Sequence, residues 1–366
     1  MATYGETLSQ LRDYRIELER STQEEAAADF GGAVAPTAFA ARGGVGAFAT
    51  PLNNVHATGV GVRVRNNKVI TDDFVIKVYV FDKAPGVTPS LTKEFNGVEV
   101  DVEPLPIQMA LARRQPRKAA GRAVRAQAAA PANRNRHRPI VGGLSIAPLN
   151  ESFVGTLGCF VRRIVGGSEQ VFALSNNHVM ADTNRLPIGT SIVQPGPEVA
   201  PTIPADTFAA LSAFVPIDFP VTRLTPVTNR FDAALAIVTN PALIRRGRMF
   251  QIGNYAPNLA SAVPGMRVIK SGRTTGVTTG VVTATRVNGV QINYGTRTAP
   301  RIATFNDTIE IVSDGAAPFS APGDSGSVIL DRDTGRPVAL LFAGDGRTTT
   351  ACDIGGVCQQ FQVLPI

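Results

Sequence analysis

The chain has 366 residues and a mass of 38.5 kDa, more than one small module and enough for two folded units at roughly 100–200 residues each. Apolar residues make up 44%, enough for a core, but they run for at most about ten residues between charges, short of the roughly 20 that a membrane-spanning helix needs. The formal charge of +7 is local: nine Lys or Arg residues and no acid lie between Arg113 and Arg138, and outside that segment 27 basic residues face 29 acidic ones.

In chain order, Tyr4, Leu8, Leu11 and Leu18 fall on one face at helical spacing, interrupted by Arg15, so residues 1–25 are expected to form a short amphipathic helix that packs on the chain's own body. The same stretch is charged from Glu6 to Arg20, where a secretory leader needs an apolar run. Residues 26–50 are rich in Ala and Gly without a period and are expected to connect flexibly. Alternation then begins at Val60, Val62 and Val64, passes the turn pair Asn66-Asn67, and continues through residues 74–81 and 98–103; residues 51–109 are therefore expected to form a small β-rich domain. Residues 110–138 hold Ala, Arg, Gln and Pro without periodicity, the composition of a basic linker. From Pro139 to the end, short β-type runs such as CFVRRIV, QVFALS, AALAIV, MRVIKSG, SVILD and PVALLFAG are punctuated by Gly, Pro, Asn and Asp. That pattern predicts an antiparallel barrel or sandwich over 139–366 rather than a parallel α/β sheet.

The sharpest local signal is Gly323-Asp324-Ser325-Gly326-Ser327. A serine hydroxyl attacks only when a base takes its proton, and flanking glycines let backbone amides turn toward a developing oxyanion. A base is offered by Ser175-Asn176-Asn177-His178-Val179, where a β-type run gives way to a turn. Of the three histidines, His56 lies in the small β unit and His137 in the basic segment, both expected to be solvated; only His178 shares a unit with Ser325. A carboxylate must hold the imidazole in its tautomer. Asp232, which opens the apolar run Ala233-Ala234-Leu235-Ala236, is the favoured candidate, with Asp206 and Asp218 as alternatives. Three cysteines, Cys159, Cys352 and Cys358, with three scattered histidines are too few for a zinc or iron–sulfur site or a disulfide framework.

With the order His178, Asp232, Ser325 at gaps of 54 and 93 residues, the chain resembles a trypsin-like serine peptidase of the chymotrypsin fold, unlike subtilisins or α/β-hydrolases, whose orders differ. The Lys270–Gly276 hairpin is similar to that of bacterial members such as the α-lytic protease group. GTLGC, LSNNHV, PADTFAALSAFVPI and LLFAG resemble a bacterial and plant branch that includes the narrow-leaf peptidase and carries a small β unit in front. The resemblance, over residues 52–366, implies a mainly β chain: a double-barrel protease domain behind a small β-rich domain and an N-terminal helix. It implies that Ser325 is the nucleophile, His178 the general base and acid, and Asp232 its orienting partner. It further implies an oxyanion hole at the Gly323 and Ser325 amides, and a strand edge at Phe342, Ala343 and Gly344 that binds substrate backbone. The position six before the nucleophile, acidic in Arg- and Lys-selective members, is Phe319 here, which implies a pocket for small or medium apolar side chains; Asp345 is expected just past the pocket wall. Ile140-Val141-Gly142-Gly143 follows Arg138-Pro139 and is expected to enter the first strand rather than to form an activation site. Cys159 is expected to be a buried thiol, and Cys352 and Cys358 to be reduced.

The implied function is a serine endopeptidase with a protein or peptide substrate, no cofactor, no metal and no specific nucleic acid. With no leader seen, its expected place is cytoplasmic, or it is exported by a route the sequence does not show. The alternative of another class is a protease-fold scaffold that binds a partner peptide on its edge strand without cutting. The basic segment lacks aromatics for base stacking, so nucleic-acid binding through it would be nonspecific and salt-sensitive.

Overall fold

The computed structural model describes residues 2–29, 54–65, 68–84, 89, 91–110, 113–114, 131–220 and 227–366. The N-terminal helix, Tyr4–Asp29, starts at a reciprocal cap. Glu6 N donates to Thr3 Oγ1 at 3.3 Å and Thr3 N to Glu6 Oε2 at 2.7 Å, so two amides that no helical turn can satisfy are paired. The helix runs four residues into the stretch expected to be a connector, and residues 30–50 lie outside the described ones. Its buried face is Thr7, Leu11, Tyr14, Leu18 and Thr22, whereas Leu8 is 37% exposed. Burying Leu11 and Leu18 against Val55, Val60, Ile76 and Val98 contributes about 1.5–3 kcal/mol each. Arg15, which breaks the apolar stripe in the sequence, is a tie: it donates to Thr58 Oγ1 at 2.7 Å, to Thr58 O at 2.8 Å and to Arg286 O at 2.7 Å.

The helix covers a hairpin of Val55–Arg65 and Lys68–Val80, closed by the Arg65–Lys68 pair on either side of Asn66-Asn67, with Val98–Pro104 added parallel to the second strand. This front sheet continues into the body, because Val55–Arg65 also pairs antiparallel with Gly276–Asn288 through Thr58↔Asn288, Val60↔Thr285 and Gly61↔Ala284. Gly61 is required there: a Cβ would stand 2.5 Å from Thr283 O and 2.7 Å from the Lys77 side chain.

Behind it stand two six-stranded antiparallel barrels, so the chain is mainly β with the chymotrypsin-like double barrel expected of it. The C-terminal barrel closes in the order Arg267–Gly272, Gly276–Asn288, Thr308–Ser313, Thr348–Asp353, Pro337–Gly344 and Val328–Asp331, the last pairing again with the first. Val268, Val282, Ile311, Phe319, Ile329 and Leu341 fill it. The N-terminal barrel runs Ser145–Pro148, Phe153–Thr156 bending on into Cys159–Val165, Ser168–Ser175, Ala234–Val238, Thr207–Phe214 and Ser191–Val193, which returns to the first strand. Leu144, Ile146, Phe160, Ala173, Phe208 and Leu211 fill this one. Leu174, Leu235, Leu340, Phe342 and Cys352 belong to a third cluster that joins the barrels. Ile140–Gly142 is a buried strand that pairs parallel with Ile244–Met249 in a separate three-stranded sheet, not as a strand of the first barrel.

The segment expected to be a basic linker differs from that expectation at both ends. Residues 113–114 pair with Phe153–Val154. Asn133 is fully buried, and Arg136 and Arg138 form ion pairs of 2.6 and 2.7 Å with the buried Asp206. No helix among the described residues is long and apolar enough to cross a membrane.

Candidate active site

The site forms where the barrels meet. His178 sits on the one-turn helix Asn177–Met180 that follows Ser168–Ser175, and the two asparagines of its motif fix that turn. Asn176 Nδ2 donates to Asp232 O at 2.6 Å, and Asn177 Nδ2 donates to Val215 O and Asn184 Oδ1 at 2.7 Å each. The first of these bonds draws in Asp232, whose carboxylate is fully buried at the entry to Ala234–Val238. Asp232 Oδ2 pairs with His178 Nδ1 in a short hydrogen bond, and Oδ1 accepts from the His178 backbone N–H at 3.2 Å. A third donor is Tyr294, whose hydroxyl lies 2.8 Å from Asp232 Oδ2. Burial first, and the adjacent carboxylate next, raise the Tyr294 pKa well above its ordinary value, so it donates at any physiological pH. An imidazole that donates through Nδ1 presents Nε2 as an acceptor. His178 Nε2 is buried and has no hydrogen-bond partner among the described residues.

The other half of the site is the turn Gly323–Ser327. Asp324 anchors it from below: its buried carboxylate accepts from the Thr274, Thr275 and Ala321 amides at 2.7, 3.2 and 2.9 Å and from Thr275 Oγ1 at 2.7 Å, and it faces the fully buried Lys270 ammonium at 3.6 Å. Burial lowers the Lys270 pKa against the opposing pull of Asp324. Thr156, in the first barrel, completes the cradle by donating from N to Ser325 O at 2.8 Å and from Oγ1 to Gly323 O at 2.9 Å. Gly326, at φ +92°, has no room for a side chain, since a Cβ would lie 2.1 Å from Ser175 Oγ. Gly323 is at φ +107°. Neither the Gly323 nor the Ser325 N–H donates to any group among the described residues.

The structure thus places His178 against Asp232 and leaves the Gly323 and Ser325 amides without an acceptor among the described residues. Ser325 Oγ, however, donates to Phe342 O at 3.2 Å rather than to His178 Nε2, and the Ser325 side chain is fully buried. Asp206, the alternative third member, is committed to Arg136 and Arg138; Asp218 donates its backbone N–H to Asn229. The edge strand is not open: Ala343 and Gly344 pair antiparallel with Ala110 and Met109 of the strand Gln108–Ala110. Phe319 is buried inside the second barrel with the Lys270 ammonium 5.7 Å from its ring centre. Asp345 turns its carboxylate to its own loop, accepting from the Arg347 and Thr348 amides at 2.8 and 2.7 Å.

The expectation that His56 is solvated is corrected, whereas His137 is half-buried. His56 is buried and stacked on Phe81 at 4.1 Å, with its ring nitrogens on Leu105 O and Gly289 O at 2.8 and 3.3 Å. Desolvation lowers its pKa to about 4 despite those carbonyls. His137 packs on Phe250 at 4.4 Å and bonds Ala132 O at 2.8 Å. All three cysteines are free and buried; burial raises each thiol pKa, that of Cys358 to about 12, so none is a ready thiolate. No cluster among the described residues could hold a metal ion.

A family model described as the Nal1 C-terminal domain matches residues 205–352. No curated protein matches the chain significantly. Solved structures similar to it include serine proteases. Protease A of Thermobifida fusca is 16% identical over 62% of this chain and 98% of its own, at a TM-score of 0.42. A glutamic-acid-specific serine protease with a histidine triad in substrate binding is 20% identical over 62% and 100%, at 0.41. A chymotrypsin of Cellulomonas bogoriensis is 17% identical over 62% and 98%, at 0.40.

Proposed function

We propose that this chain is a serine endopeptidase that cleaves peptide bonds through an acyl-enzyme. One arrangement supports the proposal: a buried imidazole is held by Asp232 through Nδ1 with Nε2 unpaired, and the Gly323–Ser327 turn keeps two amide donors unoccupied. The mechanism requires the Ser325 hydroxyl to leave Phe342 O and to reach Nε2. His178 then takes the hydroxyl proton as Oγ attacks the scissile carbonyl, and Asp232 stabilises the imidazolium. The Gly323 and Ser325 amides receive the oxyanion. His178 returns the proton to the departing amine, and water, activated by the same imidazole, releases the acyl group. An apolar P1 side chain is favoured, because neither Phe319 nor Asp345 offers a free carboxylate to a cation and an unpaired buried cation is costly.

Ser325→Ala and His178→Ala should each remove peptide hydrolysis by several powers of ten. Retention of more than about a tenth of the wild-type rate in Ser325→Ala, far above what an oxyanion hole alone sustains, would refute the assignment. The second reading is a protease-fold scaffold that holds a peptide without cutting. It is favoured by the Ser325 hydroxyl pairing with Phe342 O instead of His178, and it predicts no hydrolysis by wild type or by any variant.

A further inference from the structure

We propose that the strand Gln108–Ala110 is a built-in occupant of the substrate groove, a peptide-like segment that a substrate must displace before Ser325 reacts. The proposal rests on the endopeptidase reading for what the groove binds, and on the following placement for what fills it. Gly344 and Ala343 form the edge of the second barrel next to Phe342, whose carbonyl holds Ser325 Oγ. An extended peptide binds such an edge by adding an antiparallel strand, and Gln108–Ala110 does so, with Met109 opposite Gly344 and Ala110 opposite Ala343. Its other edge lies parallel to Val290–Asn293, Gln108 opposite Ile292 and Met109 opposite Asn293. The segment therefore lies between the groove's edge and the strand that leads directly to Tyr294.

The occupant is keyed by one side chain. Gln108 is fully buried; its Nε2 donates to Thr348 Oγ1 at 2.8 Å and its Oε1 accepts from Thr350 Oγ1 at 2.6 Å. Both threonines sit on Thr348–Asp353, the strand beside Pro337–Gly344. A carboxamide has the donor and acceptor that this pair of hydroxyls asks for. Upstream, the segment is tied to the front sheet: Leu105 N donates to Val80 O at 2.9 Å and Leu105 O bonds His56. Downstream, Arg113–Arg114 pairs antiparallel with Phe153–Val154, the strand whose last residue, Thr156, grips both Gly323 and Ser325. The chain before and after residues 111–112 thus engages the two barrels that contribute Ser325 and His178, and both of those side chains are buried. A strand joined to its groove by a few hydrogen bonds competes with a substrate by population, and weakening it releases the groove in proportion.

The test uses the full chain. Gln108→Ala removes the key, and Gln108→Leu removes its hydrogen bonds while keeping its bulk, so that folding is preserved in at least one of them. Two quantities are read: the rate at which a fluorophosphonate labels Ser325, and the affinity of a fluorescein-labelled synthetic peptide with the sequence of residues 105–110 for each chain in a Ser325→Ala background. Both should rise on the order of tenfold in the Gln108 variants. Unchanged peptide affinity and an unchanged labelling rate in a folded Gln108→Leu chain would overturn the proposal and leave the endopeptidase reading standing. Tighter peptide binding with no labelling of Ser325 in any chain would support the occupancy and refute the endopeptidase reading.

Discussion

Removing a single oxygen atom from Tyr294 probes the site's geometry without touching its three principal members. The Tyr294 hydroxyl is 2.8 Å from Asp232 Oδ2, on a carboxylate with no exposure to water. In Tyr294→Phe that oxygen keeps only its bond to His178 Nδ1, while Oδ1 keeps the His178 amide. A hydrogen bond to a charged group contributes roughly 1.5–3 kcal/mol, and each 1.36 kcal/mol of barrier is about tenfold in rate. If the bond orients Asp232, and through it the imidazole, the expected loss is about 10- to 100-fold in kcat. KM should change little, because Tyr294 acts on Asp232 and not on the peptide. The ring stays seated against Phe219, Phe305 and His178, so the thermal midpoint should fall by only a few degrees. Steady-state kinetics on an apolar reporter peptide, with the midpoint measured beside it, decide the matter. A kcat within about twofold of wild type would show that Asp232 needs no third donor, and the positioning argument would fail.

Cleavage of a peptide mixture should show cuts after Ala, Val or Leu; dominant cuts after Arg or Lys would mean that a carboxylate other than Asp345 reaches the pocket. Trace trypsin should cut first between Arg117 and Arg125, since Arg136 and Arg138 are bound to Asp206; first cuts within 55–105 or 150–350, mapped by mass spectrometry, would refute a division into front and rear units. The nicked pieces should co-elute in gel filtration, because Val55–Arg65 is paired with Gly276–Asn288. His56 gives a pH dependence: its folded pKa is depressed to about 4 from an ordinary 6.5, so its contribution to stability is complete above about pH 6.5 and is lost as the pH falls toward 4, about 3 kcal/mol over that window. Denaturant titrations should therefore show a smaller loss between pH 6.5 and 4 in His56→Gln than in wild type, and equal losses would contradict this source.

What the sequence made legible was local. The GDSGS and SNNHV strings and the apolar run after Asp232 each declare a turn, a base at a strand end and a buried acid within a few residues, and the structure sets His178 and Asp232 side by side. Short alternating runs likewise announced the barrels. Long-range partners left no such mark. Lys270 finds Asp324 across 54 residues, and its only trace was a cation inside a Gly- and Thr-rich hairpin. Tyr294 carries no local pattern, since a lone aromatic in a turn looks the same whether it packs or donates. Gln108–Ala110 is too short for a period to show. The helix end was readable and misjudged: Glu24 to Ala28 are strong helix formers, yet the Gly-rich text beyond them suggested a connector. His56 was misread because burial there comes from strands far away in sequence.

Hydrolysis through an acyl-enzyme requires one reactive hydroxyl, that of Ser325. Full-length protein incubated with a fluorophosphonate, digested and mapped by mass spectrometry should carry the adduct on Ser325 alone, and His178→Ala should carry none at the same time point. An absence of any adduct on Ser325 in both wild type and Gln108→Leu, with the fold intact, would contradict it.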